Sequence, residues 1–131
     1  MSAPGSERAK MLRGDLYLAS DSELPAARTR ARQLWQRINA ADPADPDALR
    51  GPLAELPGAL GAGAWIDPPF YCDYGTQITL GDGVFVNMNC VFLDPAAITI
   101  GAGAQLGPGV QLLTATHPTD AAAARWSWAP V

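Results

Sequence analysis

The sequence predicts a mainly β fold: a parallel β-helix of hexapeptide repeats with an α-helical N-terminal cap. Three observations predict it. Between Ile78 and His117 an aliphatic or aromatic residue returns every six positions, at Leu80, Val86 and Phe92, and after one step of eight at Ile100, Leu106 and Leu112. Four places after each stands a small or β-branched residue: Val84, Cys90, Ala96, Ala104, Val110 and Thr116. Gly81, Gly101 and Gly107 directly follow three of the six large residues.

A period of six suits neither an amphipathic helix nor a hairpin meander. It suits a chain that makes a short strand, turns, and closes a triangular coil after about three hexapeptides. The large residues then point into the prism and stack on their equivalents one coil away. The small residues face in beside a corner, and Gly, Asn and Asp supply the tight turns. A glycine-rich β region with accidental spacing would not keep both series in register through six repeats.

The remaining elements follow in order. Ser6 is placed to cap a short helix over 6–13, with Glu7 in its first turn. Asp21 or Ser22 caps a second helix running to about Asn39, with Ala27, Ala31, Leu34, Trp35 and Ile38 spaced by three and four. Asp45-Pro46 is an N-cap followed by Pro at the first helical position, so a third helix starts there. Gly51-Pro52 is expected to interrupt or kink it. Gly58 to Gly63 reads as a flexible joint, with the prism starting near Ala64. The expected division is a helical cap over 1–60 and a β-helix over 61–131.

Length and composition set bounds. The chain has 131 residues, enough for one domain with at most a small appendage, and its 48% hydrophobic content suffices for a core. The formal charge is −4, which argues against a nucleic-acid binder held by phosphate contacts. Arg28, Arg30, Arg32 and Arg37 cluster in the second helix, and a solvated face explains them more simply than an anion site. The N-terminus lacks an apolar signal core and no stretch is long enough to span a bilayer, so a cytoplasmic location is expected. Cys72 and Cys90 are about one coil apart by this periodicity and are expected to stack as buried thiols, with no disulfide.

The single histidine, His117, lies in T-A-T-H-P. It takes the last slot of a hexapeptide, at a corner and facing outward, and Pro118 disfavours α geometry there. The ordinary histidine pKa of about 6.5 suits general-base work near neutrality. Counting the two-residue insertion, Asp94 falls near His117 on an adjacent coil, where it would orient the ring or contact a substrate hydroxyl. Asn87 falls on a different face. If Asn87 and His117 serve one site, that site lies between subunits, and a three-sided prism forms such clefts around a threefold axis.

The runs A-W-I-D-P-P-F-Y-C-D-Y-G, I-T-L-G-D-G-V-F-V-N-M-N-C-V-F-L-D and Q-L-L-T-A-T-H-P resemble the maltose/galactoside O-acetyltransferase family. K-M-L-R-G-D-L-Y and R-A-R-Q-L-W-Q-R-I-N resemble its helical cap. The likeness covers nearly the whole chain. T-A-T-H-P is its specific part, since bare hexapeptides indicate only the wider superfamily. The resemblance implies a left-handed parallel β-helix, a homotrimer with sites at subunit interfaces, and transfer of an acetyl group from acetyl-CoA to a sugar hydroxyl. His117 is similar to the family's general base, and Asp73, Asn87 and Asp94 match or neighbour its acceptor-site positions. Phe85 stands where the family can carry Tyr, which removes one hydroxyl contact.

The resemblance also implies further coils beyond T-A-T-H-P that build most of the acetyl-CoA groove. The sequence ends at Ala129-Pro130-Val131, where those coils are expected to start, and the loop from Thr119 to Trp128 looks short. The acceptor half and the base are therefore expected here, with acetyl-CoA contacts unassigned. The competing class is a truncated, non-catalytic remnant that trimerises or binds a partner. A zinc-dependent carbonic anhydrase on the same prism needs three histidine ligands, so no metal is expected. Serine and antibiotic acetyltransferases share the prism, but the cap favours the sugar family.

Overall fold

A computed structural model describes residues 5–21, 23–124 and 129–130. Ser22 as an alternative helix cap, Arg125 to Trp128 of the short loop, and Val131 lie outside the described residues.

Local signals place the cap helices. Helix α1 (Glu7–Arg13) starts on Ser6, whose Oγ accepts the Ala9 amide at 3.1 Å, and stops at Gly14, where φ is 86°. Helix α2 (Glu23–Ala40) buries Leu24, Ala31, Leu34 and Ile38 on one stripe. Helix α3 (Pro46–Glu55) starts on Asp45, whose carboxylate accepts the Asp47 amide at 3.2 Å. Of the expected interruption or kink at Gly51-Pro52, the interruption does not occur: α3 runs through both residues. Proline forfeits a single amide. Its ring is buried here, Leu53 beyond it is 1% exposed, and the Leu56 amide closes the last turn on the Pro52 carbonyl at 3.0 Å.

Nine short strands follow: β1 (Ala59–Leu60), β2 (Trp65–Ile66), β3 (Phe70–Cys72), β4 (Ile78–Leu80), β5 (Phe85–Val86), β6 (Cys90–Leu93), β7 (Ile98–Ile100), β8 (Gln105–Leu106) and β9 (Gln111–Leu113). They form three parallel sheets, β1-β4-β7, β2-β5-β8 and β3-β6-β9, one per face of the prism. Beyond them β10 (Ala115–Thr116) pairs antiparallel with β11 (Ala129–Pro130), and α4 (Ala121–Ala124) lies between.

The register refines the sequence reading. Ile78 pairs with Ile98, Phe85 with Gln105 and Phe92 with Leu112. Each described coil therefore takes twenty residues, and the step of eight between Phe92 and Ile100 recurs between Cys72 and Leu80. Three expectations change with it. Cys72 stacks on Phe92 and Cys90 on Phe70, so the two cysteines do not stack on each other, although both are buried and free. The prism starts at β1, which pairs with β4, so Gly58 to Gly63 is part of a coil and no flexible joint: Gly58 donates to the Ile78 carbonyl at 2.9 Å and Gly61 to the Leu80 carbonyl at 2.7 Å. Thr116 is exposed, because after β9 the chain leaves the three sheets for the β10-β11 pair.

Cap and prism share one core. Ala31, Leu34, Ile38, Leu49 and Leu53 of the helices pack in the same cluster as Ile66, Phe70, Leu80, Val86 and Phe92. Phe70 and Phe92 meet edge to face at 5.1 Å inside the prism. A second cluster, Met11, Tyr17, Leu24 and Tyr74, docks α1 and the start of α2 on a prism corner.

Gly75 sits at that corner with φ 78°, and an added Cβ would strike the Leu56 carbonyl and side chain. Gly103 has a similar φ of 77° but open space around it. Gly75→Ala is expected to cost about 2–4 kcal/mol, strain plus overpacking, and Gly103→Ala about 1–2 kcal/mol, strain alone. Urea denaturation of both variants checks the difference.

Candidate functional site

The two-residue insertion makes a wide corner after β3, over 73–77, and the corner one coil later organises it. Asp94 is 0% exposed. Its carboxylate accepts the Tyr74 amide at 2.9 Å and the Gln77 amide at 3.3 Å, and its carbonyl accepts Gln77 Nε2 at 3.0 Å. Burial raises the Asp94 pKa, and those backbone hydrogen bonds oppose the rise. A fully buried carboxylate that accepts two backbone amides braces a turn.

The braced corner presents Asp73 and Tyr74 to the cap. Arg28 of α2 donates to Tyr74 Oη at 3.0 Å and stands 5.9 Å from the ring centroid. Burial pushes the Tyr17 hydroxyl beside it up to about 12. Asp73 is half-buried and accepts no hydrogen bond among the described residues. Burial, then the Asp94 charge, raises its pKa to about 6, and Arg28 pulls the other way.

Two clefts meet at Arg28 and Asp73. One, of about 290 Å³, runs along α2 past Thr29, Arg32 and Trp35. The other, of about 210 Å³, is walled by Tyr17, Ala19, Tyr74 and Pro95. Of the α2 arginines only Arg28 is half-buried; Arg30, Arg32 and Arg37 are exposed, as a solvated face requires. Arg28 holds the corner, Arg30 donates to the Glu55 carbonyl at 2.6 Å, and Arg32 lies over Trp35 at 5.4 Å.

The other expected residues stand elsewhere. Phe85, on β5, is half-buried and shares an outward position with Trp65 and Gln105. Asn87 follows it, with its amide on the Leu106 carbonyl at 3.0 Å and its side-chain oxygen accepting the Met88 amide at 2.8 Å. His117 is exposed and directly follows β10. Asp73 and Asp94 are therefore brought together at one corner, whereas Phe85 and Asn87 belong to another face. Sequence reasoning missed Arg28, Tyr17 and Tyr74 as a group. The cluster of arginines was the available signal, but which one turns inward depends on how α2 lies on β3. Among the described residues no group of three or more His, Cys, Asp or Glu is placed to hold a metal ion, and no helix is long and apolar enough to cross a membrane.

Comparison with known proteins assigns the family. The maltose acetyltransferase hexapeptide capping motif matches residues 10–61. A maltose O-acetyltransferase from Clostridium difficile 630 superposes with a TM-score of 0.94 at 32% identity, over 98% of this chain and 69% of that one. The chain belongs to the maltose/galactoside O-acetyltransferase family. Its prism is accordingly a left-handed β-helix, an exception to the right-handed crossover rule. A hexapeptide-repeat acetyltransferase of Vibrio cholerae O1 biovar eltor, solved with acetyl coenzyme A, is 37% identical with a TM-score of 0.83, over 95% of this chain and 68% of that one. Nodulation protein L of Rhizobium leguminosarum bv. viciae is 45% identical over 115 residues, 88% of this chain and 60% of its own length. The chain thus spans about three fifths of the curated relatives it matches.

The raised Asp73 pKa has a consequence for stability. Between the unfolded value of 3.8 and about 6 the folded state holds a proton that the unfolded state has lost, so stability falls as pH rises through that window. Asp73→Asn removes the effect. After allowance for solvent screening it is expected to gain roughly 1 kcal/mol at pH 7 and nothing below about pH 4. Thermal unfolding at the two pH values measures the difference.

Proposed function

We propose that this protein is a sugar O-acetyltransferase that moves the acetyl group of acetyl-CoA to a hydroxyl of a mono- or disaccharide acceptor, with His117 as general base. The observation that carries the reading is the likeness to the sugar acetyltransferases along nearly the whole chain, including T-A-T-H-P, together with the exposure of His117 beside β10. The reaction balances with few groups. The imidazole takes the proton of the acceptor hydroxyl, and the oxygen attacks the thioester carbonyl. The oxyanion collapses, and the departing CoA thiolate recovers the proton from the imidazolium. Backbone N–H groups stabilise the oxyanion, as acyl transfer requires.

Asp73 and Asn87 supply polar contacts to the acceptor in this reading. Phe85 supplies an apolar wall where the family can carry Tyr. In this reading a site that uses both Asn87, after β5, and His117, after β10, lies between subunits. A homotrimer meets that condition three times.

Acetyl-CoA titrated into the purified chain, with its mass in solution measured, tests the reading. Saturable binding by a trimer, with CoA released only when a sugar acceptor is present, is the expected result. His117→Ala is expected to lower kcat by about 10²–10⁴ with little change in acetyl-CoA affinity. A trimer that binds no acetyl-CoA would instead support a trimerising or partner-binding module.

A further inference from the structure

After β9 the chain leaves the three parallel sheets, and the strand that leads into His117 belongs to none of them. We infer that helix α1 positions His117: it backs β11, the partner of β10, and so fixes the imidazole relative to the prism. The inference rests on His117 as the base of the proposed function and adds the element that aims it.

The need for a support is the first argument. Among the described residues, the last backbone hydrogen bond from this segment to an earlier coil is that of the Thr114 amide, which donates to the Leu93 carbonyl at 3.0 Å. Thr114 Oγ1 donates to the same carbonyl at 2.8 Å. Beyond Thr114, β10 pairs with β11 alone, Ala115 opposite Pro130 and Thr116 opposite Ala129. A two-stranded ribbon this short is not stable by itself in water. Pro130 weakens it further, because proline has no amide to donate.

The second argument is what stands behind the ribbon. Helix α1 lies against β11, with Cα atoms of the two within 8 Å. A helix of seven residues does not persist alone, but this one is held at both ends and on one side. Ser6 caps its start and Gly14 turns the chain away at its end. Glu7 accepts the Leu18 amide at 2.6 Å, which folds the following loop back onto the first turn. Met11 is 0% exposed and packs with Tyr17, Leu24 and Tyr74, so α1 is seated on the corner that Asp94 braces.

These contacts make one continuous path: Tyr74 to Met11, then α1, β11, β10 and His117. Its use is geometric. A general base works only within hydrogen-bond reach of the proton it takes, and a displacement of about 1 Å can cost roughly 10²-fold in rate. A ribbon tied to the prism at Thr114 alone would let the exposed ring swing. With α1 behind β11, the ribbon is held on a second side.

Nuclear magnetic resonance tests the inference without requiring turnover. His117 is the single histidine of the chain, so its ring Cε1–H gives one resonance. Ser6→Ala removes the cap of α1, and Met11→Ala removes its seat. Both should move the His117 resonance and quicken amide exchange in β10 and at Ala129, by about fivefold or more for Ser6→Ala and about tenfold or more for Met11→Ala. Exchange in β4 to β6 should stay as it was. Ser6→Asp, which caps a helix as serine does, should restore both readouts. Asp45→Ala uncaps α3, which packs against α2, and should change neither. With acetyl-CoA and a sugar acceptor, Ser6→Ala should lower kcat by about threefold or more and leave the KM for acetyl-CoA unchanged. A His117 resonance and β10 exchange that do not respond to Ser6→Ala and Met11→Ala would overturn the inference and leave the sugar reading standing. So would an equal response to Asp45→Ala, which would mean general loosening of the cap. If the resonance and exchange respond as expected but the unaltered chain transfers no acetyl group, the proposed function is overturned and the support of His117 by α1 stands.

Discussion

The structure depends on one buried carboxylate. Asp94 gives both its oxygens to amides of the preceding coil, and so fixes the corner over 73–77 that the two-residue insertion would otherwise leave loose. A buried charge is expensive, and the amides that offset the cost are the ones that set the corner's shape. The same device recurs in weaker form. Thr114, at the equivalent position one coil later, takes the Ala96 amide at 3.0 Å and donates to the Leu93 carbonyl at 2.8 Å. Asp82 takes the Ala62 amide at 2.8 Å at another corner. At these three positions a polar side chain caps the backbone of the coil before it, which helps strands of two to four residues hold register.

From the braced corner the rest follows. Tyr74 completes the small cluster with Met11, Tyr17 and Leu24 that seats α1 and α2 on the prism. Arg28 then reaches Tyr74, and the space between α2 and β3 becomes two joined clefts instead of packed core. Asn39 ties the other end of α2 to β3, donating to the Phe70 carbonyl at 3.0 Å and accepting its amide at 2.8 Å. The cap is therefore part of the site's architecture, because it supplies one wall of both clefts.

Much of this was legible in the sequence. The hexapeptide series from Leu80 to Phe92 fell on buried positions because a period of six has few structural solutions. The helix starts at Ser6 and Asp45 were legible because capping is local. Errors came where tertiary packing overrides a local rule. Pro52 stays inside α3 because burial of its turn outweighs one lost hydrogen bond. Gly58 and Gly61 read as a joint because glycine marks mobility and close backbone approach alike, and only the neighbouring coil decides between them. The coil length was readable in principle, since Cys72 to Leu80 repeats the step of eight, and missing it misplaced the cysteine stack. At the site, the sequence pointed to Asp73 and Asp94 but not to the bracing of the Tyr74 and Gln77 amides by Asp94. Spacing shows that a carboxylate is near a corner, whereas direction and burial decide whether it braces the backbone or meets a ligand.

Amide hydrogen exchange at Tyr74 and Gln77, compared between the unaltered chain and Asp94→Ala, tests the bracing role of Asp94 most directly. Hydrogen bonds to a charged acceptor are worth about 1.5–3 kcal/mol each, so exchange at these two amides should quicken by roughly 10- to 100-fold, and by more than at the β6 amides. Unchanged exchange at Tyr74 and Gln77 would contradict the account, because the corner and the clefts it presents would then be held by something other than Asp94.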